Sequence, residues 1–260
     1  MFMRKVIVKK FFLGFIGLCF IAACSSSSDD GSSKNGDDFN RGTLLTNLAD
    51  NIIIPAFEDL KAKLNVLKSD KDTFIVTPNQ SNLDKLRASW LTAYKTWQSV
   101  EVFNIGKAEE IQFNFQMNVY PTNTLDIENN ISSGTYDLAN VNNNDAVGFP
   151  ALDYMLFGIA SNDESILGAY QDVKYQRYLS DIVNQMESLT NVVLNDWTTS
   201  YRDEFISSTQ NTVTSSVNKF VNDFIFYYEK GLRANKFGIP AGNFSTNSLP
   251  DRVEAFYKED

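Results

Sequence analysis

Four long stretches of this chain carry apolar residues at steps of three or four, and no stretch alternates as a strand would. In the first, Leu45, Leu48, Ile52, Leu60, Leu64 and Leu67 form one stripe, interrupted by Pro55, which should bend the helix there. The second runs through Leu83, Leu86, Trp90, Tyr94, Trp97 and Glu101, with Ser81 as its expected N-cap and Asp84 three residues on. The third runs through Tyr175, Leu179, Ile182, Met186, Leu189, Val193 and Trp197, and the fourth through Val213, Val217, Phe220, Phe224, Tyr228 and Leu232. Helices of about 22 to 28 residues would be roughly 33 to 42 Å long, so the pattern predicts an all-α, up-and-down helical bundle. Aromatic stripes at helical spacing are read as core.

The link between the second and third helices, Ile105 to Ala169, is about 65 residues, where bundle connections usually take two to eight. Phe113, Phe115, Tyr120, Phe149, Tyr154 and Phe157 predict that much of it packs. Gly148 to Gly158 is apolar enough for a short buried helix, with Pro150 suited to its first turn. Asn142-Asn143-Asn144-Asp145 lacks the alternating acidic pattern of a calcium loop and reads as a turn.

The beginning reads as an address. Arg4, Lys5, Lys9 and Lys10 precede an apolar run, Phe11 to Ala23, too short to span a bilayer but suited to a signal peptide. It ends in Ile21-Ala22-Ala23-Cys24, which looks like a bacterial lipobox. Residues 1–23 would then be removed, and Cys24 would carry acyl chains such as palmitate and hold the protein to a membrane. Ser25 to Asn40 is rich in Ser, Gly, Asn and Asp and cannot bury enough surface to fold, so 24–42 reads as a tether. Asp29-Asp30 resembles the acidic surface-export signals of Bacteroidetes lipoproteins. The expected organisation is signal 1–23, tether 24–42, bundle 43–232, and the start of a second, mostly missing bundle at 233–260. An outer-membrane lipoprotein, facing the periplasm or the cell surface, is the expected localisation.

Composition narrows the chemistry. The chain has no histidine, and its two cysteines, Cys19 and Cys24, both lie in the leader region. Histidine triads, Cys–His pairs and His-ligated zinc or haem are excluded. Any metal site must be built from oxygen, which favours Ca²⁺, Mg²⁺ or Fe³⁺ over zinc and copper. A formal net charge of −9 argues against nucleic-acid partners.

Four motifs together resemble the imelysin family. Gly148-Phe149-Pro150-Ala151-Leu152-Asp153 stands where that family has Gly-x-His-x-x-Glu. Trp97 to Gly106 is similar to its helix with an aromatic residue, then Glu, Phe and Gly. Tyr120-Pro121 matches its aromatic-Pro pair, and Phe237-Gly238-Ile239-Pro240-Ala241-Gly242 its later turn. The resemblance implies a bacterial envelope protein, often a lipoprotein and often encoded near iron-uptake systems. It also implies two packed bundles with the hallmark near their junction. Two departures matter: the hallmark His is Pro150, which has no ligand atom, and the hallmark Glu is Asp153, one methylene shorter.

The resemblance makes Gly148, Pro150, Asp153 and Glu101 the candidate ligand-binding residues. Asp153 reads either as a retained carboxylate that accepts hydrogen bonds or binds a hard cation, or as an acidic residue in the first turn of a short helix. Glu101 sits among aromatics and needs a partner, because an unpaired buried carboxylate costs several kcal/mol. An amide cluster or arginine there would be structural; a second carboxylate would make a metal or acid–base site. Asp126 and Glu128 read as further oxygen ligands or as a solvated loop. No catalytic residue is assigned. The expected function is a non-catalytic envelope lipoprotein that binds a ligand or partner, with iron or haem acquisition implied by the family. A metallopeptidase-like enzyme with a degenerate metal site and a glycan-binding surface lipoprotein are the alternatives. Candidate partners are a membrane through Cys24, an envelope protein, a small ligand, and a second copy of the chain.

Overall fold

Among the described residues, 38–249 and 256–257, this computed structural model contains helices and no strand. The leader, Cys24 and most of the tether, on which the anchoring reading rests, lie outside them. Within the described residues no helix is long and apolar enough to cross a membrane.

The first stripe forms α1 (Arg41–Leu48) and α2 (Ile54–Val76), joined by a π-helical turn, Ala49–Ile53. Pro55 accounts for the turn: it has no N–H for the ladder, and its ring crowds the carbonyl four residues back. A wider turn just before it relieves both problems. The wider turn also shifts the stripe. Leu45, Ala49, Ile53, Phe57, Leu60, Leu64 and Leu67 are buried, whereas Ile52, expected on the stripe, is 42% exposed.

α3 (Gln80–Trp97) is capped by Asn79 rather than Ser81; the Asn79 side chain accepts the Asn82 N–H at 2.9 Å. The helix ends before Glu101, which lies in the following turn, its N–H donating to the Trp97 carbonyl at 3.0 Å. The excursion then folds as short pieces: α4 (Lys107–Glu110), α5 (Phe113–Met117), α6 (Thr124–Ser133), a 3-10 turn Val141–Ala146, α7 (Gly148–Asp153), a π-helical turn Tyr154–Gly158, and α8 (Asp163–Ala169). It packs as expected, except that Phe115 is exposed. The asparagine run is a 3-10 helix rather than a simple turn.

α9 (Val173–Asp196) carries the third stripe and continues through a π-helical turn, Trp197–Tyr201, into α10 (Arg202–Ser207). α2 packs against both α3 and α9, and α6 and α7 lie on α9. Trp90, Trp97 and Trp197 are all essentially buried. Each buries about 150–250 Å², worth at most roughly 4–6 kcal/mol against an extended chain.

The fourth stripe departs from expectation. α11 (Ser216–Phe226) and its π-helical continuation Tyr227–Gly238 form an arm whose apolar residues are largely uncovered. Val213, Phe224, Phe226 and Tyr228 are 84%, 51%, 65% and 49% exposed, and only Val217, Phe220 and Leu232 of the stripe are partly buried. The arm is helical as its period predicts, but the bundle core closes largely without it. The helical run passes through residues 232 and 233 without a break.

Candidate ligand-binding site

The hallmark segment is placed by a glycine. Gly148 has φ +74°, and a Cβ there would stand 2.2 Å from the Met117 carbonyl oxygen. Both the backbone conformation and the space exclude any side chain. α7 thereby starts hard against the end of α5. Pro150 is its third residue, where a missing N–H removes no helical hydrogen bond. All six residues of α7 are buried.

The segment is stapled to α3. The Trp90 indole N–H donates to the Phe149 carbonyl at 3.2 Å, and the Tyr94 ring stacks on Phe149 at 5.0 Å. Arg87 donates to the Leu156 carbonyl from Nε and Nη2 at 3.0 and 2.8 Å, and to both Asp163 oxygens at 2.7 and 2.9 Å. Its guanidinium also lies 4.5 Å over Phe157.

Asp153 is the last residue of α7 and runs into the π-helical turn, so the expected first-turn placement is wrong. Because the helical run continues through Gly158, Asp153 sits in its middle, away from the free amides of the first turn. It is 1% exposed and finds its donors elsewhere. Oδ1 accepts the Tyr257 N–H at 2.7 Å; Oδ2 accepts the Phe256 N–H at 3.1 Å and the Tyr120 hydroxyl at 3.3 Å. Asp153 thus clamps a segment about a hundred residues further along the chain.

Glu101, 6% exposed, gathers donors from three parts of the chain. Oε2 accepts the Trp97 indole N–H at 3.0 Å and the Asn118 amide at 3.2 Å. Oε1 accepts the Tyr227 hydroxyl at 2.6 Å and the Lys236 ammonium. Among the described residues no second carboxylate joins it. Its partners are an ammonium, a phenol, an indole and an amide, which is the arrangement expected of a structural carboxylate. Burial, then the bond to Glu101, pushes the Tyr227 hydroxyl well above the usual phenol range. Nearby, Asp223 on α11 accepts the Asn104 N–H at 2.9 Å, and burial raises its carboxyl to about 6.

Glu101, Asn118 and Lys236 line a cavity of about 400 Å³ between α3 and the arm. Trp90, Tyr94, Tyr120 and Tyr257 supply aromatic wall; Lys95, Gln98, Glu101, Asn118, Asn235 and Lys236 supply polar groups. Of the sequence candidates, Glu101 lines it. Asp153 is one hydrogen bond behind it, through Tyr120. Gly148 and Pro150 act from behind the wall, by placing Phe149 under Trp90 and Tyr94. Asp126 and Glu128 do not line it. Asp126 accepts the Asn123 amide at 2.8 Å, and Glu128 takes the hydroxyls of Tyr154 at 2.7 Å and Tyr175 at 2.6 Å. The periodicity gave no reason to single out Lys236, Tyr227 or Asn118. The usable signals were position: Lys236 directly precedes the Phe237–Gly242 motif, and Asn118 stands two residues before Tyr120.

The donor set does not fit a resident metal. The oxygens of both Glu101 and Asp153 already accept from N–H and O–H groups, so a cation would face inward-pointing protons. Among the described residues no three acidic or thiol side chains converge.

No curated protein matches this sequence. Solved structures share the fold, two of them as follows. One is an imelysin-like protein from Psychrobacter arcticum 273-4, with TM-score 0.64, 19% identity, and coverage of 82% of this chain and 67% of that one. The other is from Parabacteroides distasonis ATCC 8503, provisionally named an iron-regulated protein A precursor, with TM-score 0.61, 18% identity, and coverage of 81% and 61%. This chain therefore spans about two thirds of the length of the solved structures it matches. The imelysin family model covers residues 53–258, which takes in all four motifs and both walls of the cavity, and the chain belongs to the imelysin family.

Proposed function

We propose that this protein is a non-catalytic imelysin-like lipoprotein of the bacterial envelope that binds a small ligand in the cavity between α3 and the arm. The observation that carries the reading is the chemistry of that cavity. It pairs aromatic wall with a few fixed polar groups, the usual make-up of a ligand site. Glu101, the lining carboxylate among the described residues, is neutralised by Lys236 and accepts from four donors, so it is not free to act as a base toward water. The histidine of the family hallmark is replaced by a buried proline, which supports a scaffold role for α7. The glycan alternative calls for exposed coplanar Trp or Tyr rings; all three tryptophans are buried, and among the described tyrosines Tyr228 alone is exposed, without a second such ring to form a platform.

A role in iron or haem acquisition is supported by the provisional name of the Parabacteroides distasonis neighbour. Anchoring through a lipidated Cys24 at the outer membrane is supported by the lipobox-like sequence. The exposed Phe224, Phe226 and Phe237 favour association with a second copy, which sedimentation would show as a dimer lost in Phe224→Glu.

The test is a thermal-shift titration of the purified protein with haem, ferric citrate and a panel of small organic acids, beside a peptide-hydrolysis assay. A saturable rise in Tm that disappears when Asn235→Trp fills the cavity, with no hydrolysis, is the expected result. Hydrolysis that is lost in Glu101→Gln overturns the reading.

A further inference from the structure

The Lys236 ammonium does more than neutralise Glu101. Its three N–H groups reach Glu101 Oε1, Gln98 Oε1 and the Tyr227 hydroxyl, the last at 3.3 Å. Three oxygens from two segments, the end of α3 and the arm, close around one positive centre: one carboxylate, one amide carbonyl and one phenol. The carboxylate is over nine-tenths buried, and its other oxygen is fixed by Trp97 and Asn118. All three are hard oxygen donors, the donor type though not the full number of an oxygen-built cation site.

We propose that Glu101, Gln98 and Tyr227 form a cation nest, and that the chain fills it with its own Lys236 ammonium in place of an exchangeable metal ion. Lys236 stands on the arm, whereas Glu101 and Gln98 stand just beyond and at the end of α3. The built-in cation therefore does two things. It satisfies a buried carboxylate that would otherwise need a partner, and it ties the arm to the bundle without dependence on metal supply. A soluble cation reaches the nest only by displacing the arm's own lysine. The proposal does not depend on whether the cavity beside the nest holds a ligand.

The variant that tests it is Lys236→Met, which removes the charge and keeps most of the stem. Calorimetric titration with Ca²⁺, Mg²⁺ and Mn²⁺ alone should show saturable binding at about 10⁻⁴–10⁻³ M, the weak end of oxygen-built sites. The wild type should bind at least roughly tenfold more weakly, and Lys236→Met/Glu101→Gln should lose the gain. A folded Lys236→Met that gains no cation binding overturns the proposal. So does a wild type that binds a cation equally well through Glu101. A second measurement needs only soluble wild type and Glu101→Gln. In pulsed acylation with acetic anhydride read by mass spectrometry, Lys236 should react several-fold more slowly than the exposed Lys230 on the same arm. The difference should vanish in Glu101→Gln. Equal rates in the wild type overturn the proposal even where Lys236→Met does not fold.

Discussion

Gly148 lies so close to Met117 that a Cβ added to it would stand 2.2 Å from the Met117 carbonyl oxygen. That contact fixes where α7 begins, and through Phe149 it fixes the wall formed by Trp90 and Tyr94. Gly148→Ala must either push α5 away or abandon φ +74°. The expected cost is about 2 kcal/mol or more, read as a fall in Tm of roughly 4–8 °C. A Tm unchanged in Gly148→Ala would show that the junction of α5 and α7 is looser than described.

Arg87 holds the π-helical turn after α7 by two hydrogen bonds to Leu156 and a ring contact with Phe157, and the start of α8 by two more to Asp163. Arg87→Lys cannot reproduce the fork, so it should lose most of what Arg87→Ala loses, about 2–3 kcal/mol by denaturant unfolding. The Arg87 guanidinium holds the Asp163 carboxyl below its ordinary range. A depressed folded pKa means stability that is present above the unfolded value and lost as pH falls through the folded one. The penalty of Arg87→Ala should therefore shrink in strong acid.

Asp223 has the opposite sign. Its folded carboxyl titrates at about 6, above the unfolded 3.8, because burial disfavours the charge. The folded state then holds the extra proton between those values, so this group's contribution to stability falls as pH rises from about 4 to about 6. Asp223→Asn keeps an acceptor for the Asn104 N–H and removes the charge. It should be more stable than wild type at pH 7.5 by the order of 1 kcal/mol, with the difference gone near pH 4. Denaturant melts of both proteins across that range decide it.

The fold was legible where apolar spacing alone decided it. The third stripe is buried nearly as drawn, from Leu179 through Trp197. Two local errors have the same physical source, a capping or helix-width choice that periodicity does not contain. Asn79 outcompetes Ser81 as the cap of α3, and the π-helical turn before Pro55 moves the buried position from Ile52 to Ile53. The arm failed for a different reason. Its stripe is as apolar as the others, but burial depends on what lies opposite, and periodicity on one helix says nothing of a partner. At the site, Glu101 was found because a carboxylate on an aromatic face demands a partner. The partner itself, Lys236, could not be found, because 135 residues separate the two and only the fold joins them.

Glu128 offers a spectroscopic check on the packing of the excursion. It accepts the hydroxyls of Tyr154 and Tyr175, and burial followed by this carboxylate raises Tyr175 to about 12. In Glu128→Gln the phenolate absorbance of these tyrosines should develop at lower pH than in wild type. An unchanged alkaline titration would place Glu128 away from both rings.

In the hallmark region of this imelysin, Asp153 and Glu101 are held by the chain's own N–H and O–H donors, which takes up the oxygens a metal would need. The most direct measurement is the metal content of the protein as purified without chelator, paired with Tm before and after EDTA treatment. No metal in molar proportion and an unchanged Tm are expected. A metal present mole for mole, whose removal lowers Tm and whose retention is lost in Glu101→Gln or Asp153→Asn, would contradict it.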